Sequence, residues 1–269
     1  MGLLLCYHSV SDRWDHELAV TERAFERHLR AMLRRRFRPV GADAAIAGRG
    51  RLFHVTFDDA YRDIAGALDV LERVGARATI FPATSFADVG RPLAVPELRD
   101  EVAAHPDRLA TMDWDELRDL VARGFEIGSH TVSHPHLPRL TDAELETELL
   151  DARLRCEDEL GTACRYLSYP YGEHDDRVRA AARRAGYTAA FALHGDGPRD
   201  DPFAVPRVDF YRSDSRVRAA VKTSSARYIL SIIRRYPSRS SPTLTILRRS
   251  ARSVRTPAPP TARRGRCRG

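Results

Sequence analysis

A chain of 269 residues, 43% hydrophobic and with four cysteines in no C-x-x-C pair, can hold one large domain or two small ones; a disulfide framework or cysteine zinc site is not indicated. The net charge of +7 does not mark a nucleic-acid-binding body: 11 of the 44 basic residues lie from Arg234 to Gly269, where there is no acid, leaving 33 basic against 37 acidic groups elsewhere. No apolar run reaches the roughly 18–20 residues of a membrane span, and "MGLLLCYHSVSD" lacks the basic n-region of a signal peptide, so the sequence as given reads as cytoplasmic, or extracytoplasmic if the true start lies upstream.

The predicted elements alternate along the chain. "LLLCY" (3–7) reads as a strand, followed by a helix from the cap Thr21 through "ERAFERHLRAMLRRR". "LFHVTF" (52–57) reads as a strand and "YRDIAGALDVLERVG" as a helix ending at Gly75. "RATIFPA" (77–83) is a strand, and 85–112, rich in Pro, Gly and Asp, reads as irregular. "DWDELRDLVARG" is a helix, "FEIGS" a strand, and Thr141 with Glu144 forms a capping box opening the helix "TDAELETELLDARLRCEDELG". "RYLSYP" is a strand, 174–185 a helix, and "YTAAFAL" and "FAVPRVDF" are strands. About seven βα units with parallel strands point to an α/β fold, a distorted (β/α)7 TIM-like barrel, rather than an open doubly wound sheet. No glycine-rich dinucleotide or phosphate loop is present.

Polar residues follow the strands directly: His8 after the first, Asp58-Asp59 after "LFHVTF", His130 after "FEIGS", Tyr171 after "RYLSYP" and Arg207 within "FAVPRVDF". In a parallel barrel such positions share one mouth. Two adjacent carboxylates repel and resist burial, so a positive group is expected beside them. "SHTVSH" spaces His130 and His134 four apart, which on a helical turn puts both imidazoles on one face within reach of one metal. The sequence therefore predicts a divalent cation near Asp59, His130 and His134, with one aspartate ligating and the other taking a proton from an activated water.

"TFDDAYRD", "SHTVSH" and "YLSYPYGEHDDRV" resemble the first three motifs of the polysaccharide deacetylase family, the NodB-homology domain of carbohydrate esterase family 4. "LLLCYHSVSD" and "AVPRVDF" resemble its branch that begins with a Tyr-His strand, and the likeness covers residues 3–235. The resemblance implies removal of N-acetyl groups from amino sugars with Zn²⁺ or another first-row divalent ion. It implies Asp58 as base, Asp59, His130 and His134 as metal ligands, and Tyr171, in the run Tyr169-Pro170-Tyr171, as donor of a backbone N–H to the acetyl carbonyl. Ser168 stands where motif three usually has the arginine that orients the base, and Arg207 is the expected substitute. No C-terminal histidine motif supplies the acid, and the resemblance to the Tyr-His branch, in which the N-terminal histidine serves, implies His8 for that role. A protonated His8 near a metal requires a neighbouring carboxylate to compensate. His136 and His194 are not expected to ligate, and Trp114 is expected to pack.

The expected organisation is a catalytic domain at 1–236 and a disordered Arg/Ser/Pro-rich tail at 237–269 that could touch an anionic lipid surface. The expected partner is an N-acetylated glycan or amino-sugar conjugate, with lipid- or nucleotide-linked amino sugars as alternatives and no nucleic acid. A non-catalytic glycan-binding domain of the same fold is the rival reading.

Overall fold

A computed structural model of the protein describes residues 2–48, 50–193 and 201–224. The tail at 237–269, with its expected disorder and lipid contact, lies outside the described residues, as does His194. No helix among the described residues is long and apolar enough to cross a membrane.

The strand Leu3–Tyr7 is buried along its whole length. It pairs in parallel with Leu52–Asp58 on one side and Val208–Asp209 on the other. From Leu52–Asp58 the ladder runs to Ala78–Phe81 and on to Glu126–Ile127. Tyr166–Ser168, Ala189–Ala192 and Val205–Pro206 form a second parallel sheet. Strands buried on both faces read as continuous apolar runs, which is why the sequence displays them so openly.

Two features connect the sheets. Ser129 bridges Leu167, with Ser129 N donating to the Tyr166 carbonyl at 2.9 Å and Ser168 N to the Ser129 carbonyl at 2.9 Å. At the other end, "VPRVD" changes partner midway. Val205–Pro206 pairs with Ala189–Ala192, Val208–Asp209 pairs with Leu3–Tyr7, and Arg207 sits at the crossover. The fold is an α/β distorted barrel of parallel strands, and among the described residues they do not form a single closed sheet.

Helices cover the strands through one apolar face each. Glu22–Arg34 starts where the Thr21 hydroxyl accepts from Ala24 N, and it buries Phe25, His28, Leu29 and Met32, the spacing of one helical face. Trp114–Ala122 and Asp142–Leu160 both open on capping boxes, and the latter ends at Gly161 with φ 63°. Trp114 packs as expected, 6% exposed, its indole N–H donating to Asp88 at 2.8 Å.

The structure departs from the sequence reading in several places. The helix expected from Tyr61 begins as a 3₁₀ turn, Arg62–Ile64, before Ala65–Arg73. The segment read as irregular, 85–112, overlaps the short helix Thr84–Ala87 and contains Arg99–Ala104, with 3₁₀ turns at Pro96–Leu98 and Pro106–Arg108. Pro96 and Pro106 each start a short turn, whereas Pro92 lies in an antiparallel bridge with Ala110. The segment closes over its own apolar cluster, in which Trp14, Tyr61, Phe86 and Leu98 are buried. The indole of Trp14 donates to Glu101 at 3.0 Å, tying this segment to the loop that follows the first strand.

Candidate active site

The strand Leu52–Asp58 delivers Asp58 to the mouth, and the next two residues, Asp59 and Ala60, have φ of 67° and 50°. Left-handed backbone is uncommon outside glycine, and two such residues in succession make a sharp turn. The adjacent carboxylates are thereby given different surroundings.

Asp58 faces Arg207. Nη1 of Arg207 lies 2.7 Å from Oδ1 and Nη2 2.7 Å from Oδ2, with both side chains almost wholly buried. The guanidinium also donates to the Thr56 hydroxyl at 3.0 Å and the Ser168 hydroxyl at 2.8 Å. Arg207 thus reaches Asp58 from a different strand and bonds to Ser168, the residue standing where the family motif has its arginine. Burial pushes the Asp58 carboxyl up, but the charge and hydrogen bonds of Arg207, together with His130 and His8, outweigh it and hold Asp58 well below the usual carboxylate range.

Asp59 faces two histidines. Its Oδ1 is 3.5 Å from Nε2 of His130 and 3.5 Å from Nε2 of His134. One ligand atom from each of the three residues lies within 4.8 Å of the others, and all three residues are buried. Oδ1 of Asp59 has no hydrogen-bond partner. Burial and then the charge of Asp58 raise the Asp59 carboxyl well above its ordinary value, so an anion here lacks compensation. Burial keeps both imidazoles neutral by lowering their pKa values. Nδ1 of His130 lies 2.7 Å from the Ser168 carbonyl; it must donate there, which leaves the Nε2 lone pair facing Asp59. Two neutral imidazoles and one under-compensated carboxylate, whose Oδ1 is the orphaned buried oxygen, form a donor set that fits Zn²⁺ or a similar ion.

The histidines are not on a helical turn, as the four-residue spacing predicted. Residues 130–134 form a loop in which Thr131 has φ 70° and His134 φ 61°. Left-handed residues curl the chain back on itself, so the loop brings i and i+4 together by another route. Gly128 makes the approach possible, since a Cβ there would lie 2.4 Å from the Phe81 ring and 2.8 Å from the Tyr166 carbonyl.

His8 is 9% exposed at the end of the first strand, and its Nδ1 has no hydrogen-bond partner. The compensation expected from a carboxylate does not prevail. Burial lowers the imidazole to about 4; Asp58 opposes this, while Arg207 and His130 reinforce it. His8 is therefore neutral at pH 7. Its loop is fixed by a residue that the sequence reading passed over, Asp63, which accepts from the Ser9 hydroxyl at 2.5 Å and is pushed by burial to about 6. The third acid in "DDAYRD" was the available signal.

The third-motif residues divide. Tyr171 has φ 59°; its ring meets His134 edge-on at 4.7 Å and its hydroxyl donates to Glu97 at 2.9 Å. Pro170 is buried at the start of the same 3₁₀ turn. Tyr169 is directed into the core, where its hydroxyl donates to the Phe203 carbonyl at 2.9 Å. His136 stacks on Tyr171 and pairs with Glu173 at 2.8 Å, outside the Asp59 cluster.

A family model described as polysaccharide deacetylase matches residues 46–190, a span holding Asp58, Asp59, His130, His134 and Tyr171. The chain is 31% identical over 179 residues to the chitooligosaccharide deacetylase of Bradyrhizobium sp. (strain ANU 289), covering 64% of this chain and 67% of that one. It is 25% identical over 192 residues to YxkH of Bacillus subtilis (strain 168), and spans 61% of the length of that relative. Among solved structures, IcaB from Ammonifex degensii shares the fold, with TM-score 0.68 and 22% identity over 83% of this chain and 97% of the other. On the strength of the matched span and of the Bradyrhizobium relative, this chain belongs to the polysaccharide deacetylase family.

Proposed function

We propose that the protein is a metal-dependent hydrolase that removes N-acetyl groups from the amino sugars of a glycan or glycoconjugate. The observation that carries this reading is the division of labour between adjacent aspartates. Asp58 is paired with Arg207, whereas Asp59 converges with His130 and His134 without a matching positive charge. A non-catalytic binding domain has no need to keep both arrangements side by side in a buried mouth. The Bradyrhizobium relative is named for action on chitooligosaccharide, an N-acetylated glycan, which supports the substrate class.

A divalent ion held by Asp59, His130 and His134 would polarise the acetyl carbonyl and raise the acidity of the attacking water. The remaining steps fall to the chain. Asp58, ionised throughout the working pH range, accepts a proton from the water as it attacks. Once protonated it is a strong acid, because Arg207 favours its anion, so the proton does not rest there. The amine that leaves is more basic than Asp58 and must receive a proton to depart. His8, neutral and electrostatically coupled to Asp58, relays that proton through its ring. Arg207 keeps the carboxylate plane fixed through two parallel hydrogen bonds. The backbone N–H at Tyr171, set by its left-handed turn, is the proposed donor to the carbonyl oxygen.

The test is acetate release from N-acetylated oligosaccharides and sugar conjugates, run beside metal analysis of the same preparation. Stoichiometric metal with acetate release supports the reading. Metal-loaded protein that releases no acetate from any N-acetyl sugar, yet binds glycan, would return the domain to a binding role.

A further inference from the structure

The loop carrying His130 and His134 belongs to no helix or strand, and two of its non-glycine residues are left-handed, one of them the β-branched Thr131. Such a loop keeps its shape only if its surroundings impose it. One edge is held by backbone, since Thr84 N donates to the Thr131 carbonyl at 3.0 Å and Ser85 N to the Val132 carbonyl at 3.0 Å. The other edge is held by a single side chain. Val132 N and Ser133 N, at 2.8 and 2.9 Å, both donate to Oε2 of Glu148, and the Ser133 hydroxyl donates to Oε1 at 2.5 Å. Successive N–H groups gathered on one anion form a backbone nest.

Glu148 projects from Asp142–Leu160, whose Leu145 and Leu149 are buried and anchor the helix at that turn. Among the described residues it makes no ion pair with lysine or arginine. Its charge is directed wholly at the loop.

We propose that Glu148 is a positioning residue for the metal site. Its carboxylate gathers the Val132 and Ser133 N–H groups and so holds the loop in the shape that aims both Nε2 atoms at Asp59. The proposal rests on reading Asp59, His130 and His134 as metal ligands. Without Glu148 the ligands are all present, but the loop must be ordered at the expense of binding, and affinity falls. Glutamine can still accept from both N–H groups through its carbonyl oxygen and donate to the Ser133 hydroxyl, so it retains the geometry without the charge.

The experiment titrates the full chain with Zn²⁺ against a chelator, comparing wild type, Glu148→Ala, Glu148→Gln and Glu146→Ala. Glu146 is exposed on the same helix and controls for the loss of one negative charge. Thermal unfolding of each metal-free protein is measured alongside. Glu148→Ala is expected to bind Zn²⁺ about 10–100-fold more weakly, as loss of an outer partner typically does. Glu148→Gln should lie closer to wild type, and Glu146→Ala should match wild type. Wild-type Zn²⁺ affinity in Glu148→Ala overturns the proposal, even if its melting temperature drops. An equal loss in Glu146→Ala overturns it in favour of long-range charge. A wild-type protein that takes up no Zn²⁺ overturns the ligand assignment first, and this inference with it.

Discussion

Asp58 and Arg207 stand 149 residues apart in the chain and meet as a buried, two-pronged ion pair, while Oδ1 of the neighbouring Asp59 has no hydrogen-bond partner. The "DD" of the sequence is thus one neutralised carboxylate and one left open to a cation. The positive group that the pair demands is in part already in the protein, and it is the arginine at the strand crossover.

Removing that arginine should be costly. Arg207→Met leaves a buried carboxylate without its partner, and losing one member of such a pair typically costs about 3–5 kcal/mol. Urea unfolding at pH 7 measures the loss. The double variant Arg207→Met with Asp58→Asn should recover part of that stability but no turnover. Wild-type stability in Arg207→Met would show that the pair is not what sustains Asp58 as an anion.

The two aspartates should separate cleanly by metal analysis. Asp58→Asn should keep stoichiometric Zn²⁺, melt lower because Arg207 loses its anion, and lose nearly all acetate release. Asp59→Asn and His134→Ala should lose the metal itself. Full occupancy in His134→Ala would remove that residue from the ligand set.

His8→Ala should retain fold and metal and lose at least about two orders of magnitude in rate, the usual scale of positioned proton transfer. Because burial holds the imidazole near 4, the free protein should show no alkaline limb that belongs to His8. Near-normal turnover in a metal-loaded His8→Ala sample would return this histidine to a packing role.

Away from the site, His54 is buried, with Nδ1 2.9 Å from the Val40 carbonyl and Nε2 2.9 Å from the Thr79 hydroxyl, and burial lowers it to about 4. Its folded value lies below its unfolded one, so between about 6.5 and 4 the unfolded chain binds the extra proton, and stability falls as pH falls. Comparison with His54→Gln isolates this one group from opposing ones such as Asp63. The stability advantage of wild type over His54→Gln should shrink by about 2 kcal/mol between pH 7 and pH 5. A gap independent of pH would mean that His54 titrates normally in the folded protein.

Gly128→Ala should destabilise by about 1–3 kcal/mol, the usual range for overfilling a packed interior. The added methyl would meet the Phe81 ring and the Tyr166 carbonyl, just before His130. Zn²⁺ affinity should fall together with melting temperature, because the displaced backbone leads into His130, a proposed ligand.

Much of this was legible in the sequence because local rules and tertiary structure agree. Buried parallel strands show as apolar runs, and Thr21 and the Thr141–Glu144 box mark helix starts where the structure has them. The spacing of His130 and His134 indicated convergence but not its cause, since a helical turn and a left-handed loop both bring i and i+4 together. The partner change within "FAVPRVDF" left no mark, because pairing with one neighbour or the other demands the same residues. Whether a carboxylate could keep His8 protonated was not legible, because a sequence shows which charges exist, not how deeply each is buried. Glu148 was hidden among the many acids of its helix, where only the loop packed against it sets it apart.

The partner change at residues 205–209 also governs when the mouth can be completed. On the ribosome, Leu3–Tyr7 and Leu52–Asp58 emerge early and can pair, and the three candidate ligands follow well before the last strand. Arg207 comes only with the segment that pairs back onto Leu3–Tyr7. Contacts this distant in sequence form late, after the entropy of closing a long loop has been met. A nascent chain short of residue 207 therefore carries Asp58 without its counter-ion, a charge that favours keeping this end of the barrel open to water. Burial of Asp58 and arrival of the final strand become a single event, and the newly made protein should acquire its complete mouth in one late, cooperative step.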